Sequence, residues 1–468
     1  MRRFPPPTIG CDVDRAFTRW TAPRAPRPVV GVDADDVLAR AGLAPRLDLT
    51  TALLFLARDA YEARRTFFEG LELVPPYAEV VEALAGTPAF SMPAPRPCGL
   101  TDRAAAARAL RERLDLAIED RIVGAARVGI AASGGLDSTA VAVGASRVWR
   151  RLGRDPRDLR LYHVLPRTGP TEVAHAEALA RSLGHDLVLF RQTAGDPFAG
   201  DETFLRAIDF PPDGGGTGGW GLVAARLRED GVSTVLTGDG GDEVVGPLAE
   251  ESAPHGLWPR LRYAAGRACP PLHRLVSRRR LLAPFPRALA VRIAALPEPE
   301  TMPAARPGLE GLPASRDRLV RCARQSMIVA WHRASDRVHG LTTEFPLLDR
   351  RVADLVVTLP PAFFGPGPKA LLRAALGDAV PSSLSERPKD QPEFESLLTE
   401  DVRRHGDRWL ERWGPAARPA SAAIVSPAEA AHLLGAARTG DVDALWRYLA
   451  LIGLLAWVAE RGVAVRDA

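Results

Sequence analysis

Between residues 128 and 237 the chain alternates short, continuously apolar runs with stretches of helical periodicity, and no other feature restricts its fold so far. The apolar runs are Val128 to Ala132, Leu159 to Leu165, Leu187 to Phe190 and Ser233 to Thr237, with helical stretches at Thr139 to Leu152, Thr171 to Leu183 and Gly221 to Arg228 between them. A strand that is apolar throughout needs cover on both faces, and a connection long enough to hold a helix returns the chain parallel to its start. The pattern predicts an α/β fold with a parallel sheet, whose ligands bind at loops on the carboxyl ends of the strands. A helix from Asp102 to Ile122, capped by Thr101 and carrying Leu110, Leu114 and Ile118 at four-residue spacing, should precede the first strand. From about residue 250 the alternation stops and the remainder reads as helices joined by Pro-containing loops. Residues 247–312 offer no assignable chemistry.

A chain of 468 residues exceeds the size at which single cores stop growing, so two domains, or one large domain with appendages, are expected. Residues 1–98 are rich in Pro and Arg and end in a linker-like cluster, Pro93-Ala94-Pro95-Arg96-Pro97. The net charge of +4 is the difference between 61 basic and 57 acidic residues, which is no nucleic-acid signature. The four cysteines, Cys11, Cys98, Cys269 and Cys322, lack metal-ligand spacing, and no signal peptide precedes them, so a cytoplasmic setting is expected. The longest apolar stretch, Tyr448 to Ala459, is about half of the roughly 20 residues a membrane span needs and is expected as a buried C-terminal helix.

The first strand runs into Ser133-Gly134-Gly135-Leu136-Asp137-Ser138, with Asp137 opening a helix. Glycines let the backbone approach an anion, successive N–H groups form a nest, and the helix N-terminus adds positive potential. Hydroxyls of Ser133, Ser138 and Thr139 can add donors, while the Asp137 carboxylate would repel phosphate unless Mg2+ sat between them. Six specified residues arise by chance on the order of once in ten million starting points, so an incidental turn is a poor account. A Walker-type loop is excluded, because no Gly-Lys-Ser/Thr follows the glycines.

A second strand runs into Thr237-Gly238-Asp239-Gly240-Gly241-Asp242-Glu243, which alone would pass for a surface turn but gains meaning beside the first loop. Further along lie Asp336-Arg337 with Glu344-Phe345-Pro346-Leu347-Leu348-Asp349, which on their own fit a helix-capping turn built on Asp349. The only two lysines fall in Pro368-Lys369-Ala370-Leu371-Leu372-Arg373 and Arg387-Pro388-Lys389. A compact ammonium is not interchangeable with guanidinium where space is tight, so lysines kept in an Arg-dominated chain favour function.

Together these motifs resemble the ATP-pyrophosphatase domain of the asparagine synthetase family over about residues 100 to 400. The resemblance implies a Rossmann-like, adenine nucleotide alpha hydrolase-like domain with a helical C-terminal part, and ATP cleavage to AMP and pyrophosphate. By the same match, ATP and pyrophosphate would contact Ser133, Gly134, Gly135, Asp137, Ser138, Thr139, Gly238, Gly240, Gly241 and Lys369. Asp137 and Asp242 would hold Mg2+, Glu243 would support its loop, Lys389 would be the catalytic lysine, and Asp336-Arg337 with Glu344 to Asp349 would be wall on the acceptor side of the cleft, the other reading of that segment. Synthetases of the family usually carry Glu at the position of Asp239, which leaves open whether Asp239 deprotonates the incoming amine or only orients it.

Asparagine synthetases begin with a glutaminase domain whose nucleophile is an N-terminal cysteine. Here residue 2 is Arg, Cys11 reads as structural or incidental, and the glutamine-binding motifs are missing. Only Thr66-Phe67-Phe68-Glu69-Gly70-Leu71 with Pro75-Pro76 is similar to that domain's closing strands. Residues 1–98 are therefore expected to form a degenerate glutaminase-like domain, and residues 99–468 the amide synthetase domain. Without an ammonia source the attacking amine should belong to the substrate, as in β-lactam-forming synthetases and the macrolactam synthetases of lasso peptides. The form of the second loop and Trp446 in the C-terminal helix look more like the latter. The expected reaction closes a macrolactam on a precursor peptide, with a leader peptidase and a leader-recognition protein as partners. Amide closure on a small molecule is the alternative.

Overall fold

The computed structural model describes residues 19–22, 29–57, 65–74, 79–82, 88–91, 99–165, 171–191, 198, 202–212, 217–246, 285–296, 328–364, 369–381 and 394–465. Lys389, Cys11 and the Pro93 to Pro97 cluster lie outside them. Five short strands precede residue 99: β1 Arg19–Ala22, β2 Val29–Gly31, β3 Glu72–Val74, β4 Glu79–Glu82 and β5 Pro88–Ser91. Five more form the central sheet: β6 Val128–Ala131, β7 Leu159–Leu165, β8 Leu187–Arg191, β9 Thr234–Leu236 and β10 Thr342–Glu344. All neighbours in that sheet are parallel, in the order β10-β9-β6-β7-β8. The fold is α/β, as the alternation predicts.

Successive strands β6, β7 and β8 step outward in one direction, whereas β9 lies on the other side of β6. The chain reverses its winding between β6 and β9, and a crevice opens at such a switch point because the flanking connections diverge. Both glycine loops leave the sheet there.

Two expectations are corrected. The helix Arg103–Ile122 is capped by Asp102, which accepts from the Ala105 N–H at 2.7 Å, and not by Thr101. The fifth strand, β10, falls in the stretch that reads as helices and loops. Thr342-Thr343-Glu344 has no apolar run, and its extended form comes from pairing with β9, Thr342 opposite Thr234 and Glu344 opposite Leu236.

Helices cover both faces. Leu110, Leu114 and Ile118 of the helix Arg103–Ile122 are buried with the helix Leu136–Arg151 and with Val128 and Ile130 of the sheet. On the other face Tyr162 and Val235 pack with Val223, Ala224 and Leu227. A second core joins residues between Ala22 and Leu73 to the helices Phe394–Trp413, Pro427–Arg438 and Val442–Arg461. Phe67 and Phe68 meet the Trp457 ring edge-on at 5.7 and 5.5 Å, and the Trp457 indole N–H donates to the Ile208 carbonyl at 2.9 Å. The helix Val442–Arg461 is, among the described residues, the one long and apolar enough to cross a membrane, but 78% of its apolar window is buried inside the protein.

Candidate functional site

The first loop is braced from within. Gly134 sits at φ 81°, a left-handed conformation natural to glycine, and turns the chain from β6 toward the helix Leu136–Arg151. Ser133 Oγ accepts from the Gly135 N–H at 3.2 Å and lies 3.1 Å from Ser138 Oγ. The hydroxyls of Ser138 and Thr139 both donate to the Gly135 carbonyl, at 3.0 and 2.8 Å. These two side chains thus stiffen the turn, while Ser133 stays exposed. Asp or Ser side chains cap the helices Arg103–Ile122, Pro427–Arg438 and Val442–Arg461, but Gly135 gives the helix Leu136–Arg151 no side-chain cap. Its first-turn N–H groups keep a capacity for an anion that those three helices spend on their own side chains.

The second loop is pressed against the first. A Cβ on Gly238 would lie 2.6 Å from the Ser138 nitrogen, and one on Gly241 would strike the Asp137 carboxyl group. Gly240, at φ 87°, turns beneath Leu348 and opens the short helix Gly241–Val244 that carries Asp242 and Glu243. Glycine here is a matter of close approach: the two loops make one floor only because these positions lack side chains.

Lys369 closes that floor. It precedes the helix Ala370–Leu376 and its Nζ is bonded to Asp137 of the first loop and, at 2.6 Å, to Asp242 of the second. Burial by itself would lower the pKa of this lysine, but Asp137 and Asp242 together raise it, so the ammonium is firmly charged. The same contacts test the fit of Mg2+. Two carboxylates from separate loops converge on one cation, which matches an ion usually held by one or two carboxylates plus substrate phosphates. No group of three or more potential ligands occurs among the described residues, so phosphate oxygens and water would have to complete the shell.

Beside this floor Asp239 Oδ2 lies 3.5 Å from His332 Nε2, and its backbone N–H approaches Thr237 Oγ1 at 3.4 Å. His332 is on the helix spanning 328–339 and packs edge-on against Phe345 at 5.4 Å. Sequence reading misses this histidine, which carries no local motif. It also misses His163 on β7, whose Nδ1 donates to the Ala132 carbonyl at 2.7 Å and so fixes the strand end from which the first loop departs.

The segment from Asp336 to Asp349 is scaffold. The Asp336 carboxylate accepts from the Thr343 N–H and hydroxyl at 2.7 and 2.6 Å, which holds β10 in place. Asp349 is wholly buried, caps the helix Arg350–Thr358, and accepts from Arg351 and Arg121. Burial pushes its pKa up, yet the Arg351 and Arg121 contacts hold it below the usual carboxylate range. Of the two readings of this segment, the capping turn describes Asp349.

A family model described as Asparagine synthase matches residues 109–459, more than half of the chain, and takes in both loops, Lys369 and most of the buried C-terminal helix. No curated protein matches the chain.

Proposed function

We infer the reaction from one premise: the chain belongs to the asparagine synthase family, whose members form amide bonds using ATP. We propose that this protein activates a carboxylate as an acyl-adenylate and closes a macrolactam on a short precursor peptide. In the first step a carboxylate oxygen attacks the α-phosphate and pyrophosphate leaves. In the second the peptide's N-terminal amine attacks the activated carbonyl of an Asp or Glu side chain, an amide forms, AMP leaves and the amine loses a proton.

The observation that carries the reading is the shared floor of the two loops with Asp239 at its edge. One site then offers donors for pyrophosphate and an acceptor for the amine proton. The Ser133 loop and the uncapped helix behind it would hold the phosphates. Mg2+, held by Asp137 and Asp242, would supply charge neutralisation at the pyrophosphate. Lys389 would stabilise negative charge developing at the reacting centre. Asp239 would take the amine proton, with His332 fixing its direction. A substrate amine is favoured over ammonia because the N-terminal part lacks glutamine-binding motifs, and Phe67 and Phe68 are committed to packing against Trp457. Holding amine and carboxylate of one molecule in one cleft removes up to about 7 to 11 kcal/mol of barrier.

With this reaction we propose a precursor peptide as substrate, a leader peptidase and a leader-recognition protein as partners, a cytoplasmic setting, and no nucleic-acid or membrane partner. The test is mass spectrometry of a core peptide incubated with the protein, ATP, Mg2+ and partner peptidase. Loss of one water on ring closure is expected. Incorporation of free ammonia, or AMP formation with small amino acids only, would overturn the peptide assignment in favour of small-molecule amide closure.

A further inference from the structure

Lys369 has two features that a phosphate contact alone does not require. Its ammonium joins Asp137 on one loop to Asp242 on the other. Its backbone is left-handed, at φ 55° and ψ 30°, which makes it the one non-glycine residue with positive φ among the described residues. A side-chain-bearing residue holds such a conformation only where its surroundings impose it, and strain of this kind gathers at sites that switch.

The ammonium lies where a divalent ion bridging the same carboxylates would have to lie. An ammonium and a divalent ion set between the same two carboxylates would repel each other, so the two compete for this position. Of 61 basic residues only two are lysines, and a compact ammonium with three donors fits between two carboxylates where a planar guanidinium does not.

We propose that Lys369 is a tethered counter-ion that keeps the metal position closed to free Mg2+, so that the metal enters only together with nucleotide. The inference rests on the amide-synthetase reading of the site. Without nucleotide the ammonium ties the two loops through their carboxylates. Phosphate oxygens offer it a second set of acceptors; once it turns to them, Asp137 and Asp242 are released to the metal that arrives with those phosphates. The nucleotide drives the exchange because it binds the turned-away lysine and not the bridging one.

The experiment uses Mn2+ as an electron paramagnetic resonance probe with the full-length chain, with and without a non-hydrolysable ATP analogue. The wild type should bind Mn2+ only when the analogue is present. Lys369→Met should bind Mn2+ alone, at least about tenfold more tightly than any residual binding by the wild type without the analogue, because a unit positive charge next to the ion has been removed. Adding Asp242→Asn to that variant should abolish the binding. Lys369→Asn, which tolerates the left-handed backbone, keeps the test decisive should the Met variant unfold. Wild-type binding of Mn2+ alone, as tight as in the variants and with analogue binding intact, would overturn the counter-ion role and leave the amide-synthetase reading standing. A wild type that binds no analogue under any condition would overturn that reading itself.

Discussion

His332 Nε2 lies 3.5 Å from Asp239 Oδ2 and joins an imidazole only 9% exposed to a carboxylate with 37% of its side chain open to the cleft. Burial pushes the Asp239 pKa up, but hydrogen bonding and charge from His332 hold it below the usual carboxylate range. Asp239 therefore stays ionised as pH falls past the ordinary carboxylate value, and its contribution to stability is lost only as pH falls through its own lowered pKa. Asp239→Asn should lower amide formation about 10² to 10⁴-fold, the usual weight of a positioned base. Exchange of pyrophosphate into ATP, which needs no amine, should persist. His332→Gln removes the main influence that lowers the Asp239 pKa and leaves only the Thr237 contact, so the acid limb of the rate profile should move to higher pH. Loss of exchange alongside amide formation would instead place Asp239 in the adenylation step.

Gly238 is where the two loops meet. An added Cβ would lie 2.6 Å from the Ser138 nitrogen and 2.9 Å from the Asp137 carbonyl carbon, both backbone atoms that cannot rotate away. Gly238→Ala should cost about 1 to 3 kcal/mol of stability through overpacking and should weaken ATP binding by prising the loops apart. Gly435→Ala is the control. It lies in the helix Pro427–Arg438 with nothing within 4 Å of the added carbon, and should be neutral or stabilising. Urea unfolding and equilibrium ATP binding on both variants separate the effects, and equal ATP affinities would deny the loops their shared floor.

What the sequence discloses and what it hides divide along the range of the interactions. The loops at Ser133 and Gly238 are legible because a continuous apolar strand and a glycine turn are local signals. β10 is not, since Thr342-Thr343-Glu344 becomes a strand only through its neighbour β9. Asp349 reads ambiguously because Arg121, which fixes it as scaffold, lies 228 residues earlier. His332 is silent for the same reason: its meaning comes from Asp239, on another element. Lys369 is legible as a phosphate contact through the resemblance, but its bridge between two carboxylates requires both loops to be folded first.

Lys389 lies outside the described residues, and its expected role rests on the Arg387-Pro388-Lys389 motif. Losing one preorganised charge-stabilising donor typically costs about 10² to 10³ in rate. Lys389→Ala should show that loss in single-turnover amide formation while melting at the wild-type temperature. Near-normal product formation would put the residue outside the reacting centre and leave Lys369 as the site's lysine.

The structure also fixes the sign of one pH dependence far from the loops. Asp209 is 4% exposed, with Arg461 at 3.1 Å and Arg337 at 3.9 Å. Burial raises its pKa more than these arginines lower it, so it is pushed up to about 6 from 3.8. The native state therefore holds this proton through a range in which the unfolded chain has released it. Stability falls as pH rises from about 4 to about 6, by about 3 kcal/mol at 1.36 kcal/mol per unit, and the loss is complete above that range. Asp349 acts in the opposite sense, because its pKa is lowered, and its contribution is lost as pH falls. Asp209→Asn removes only the first term, and Arg461 keeps its partner Asp35 at 2.7 Å. The difference in unfolding free energy between variant and wild type should therefore move in the variant's favour between about pH 4 and about pH 7, with contributions such as that of Asp349 cancelling. Urea denaturation of both proteins across that range measures it. A difference that stayed flat would mean that Arg461 and Arg337 offset the burial of Asp209 in full.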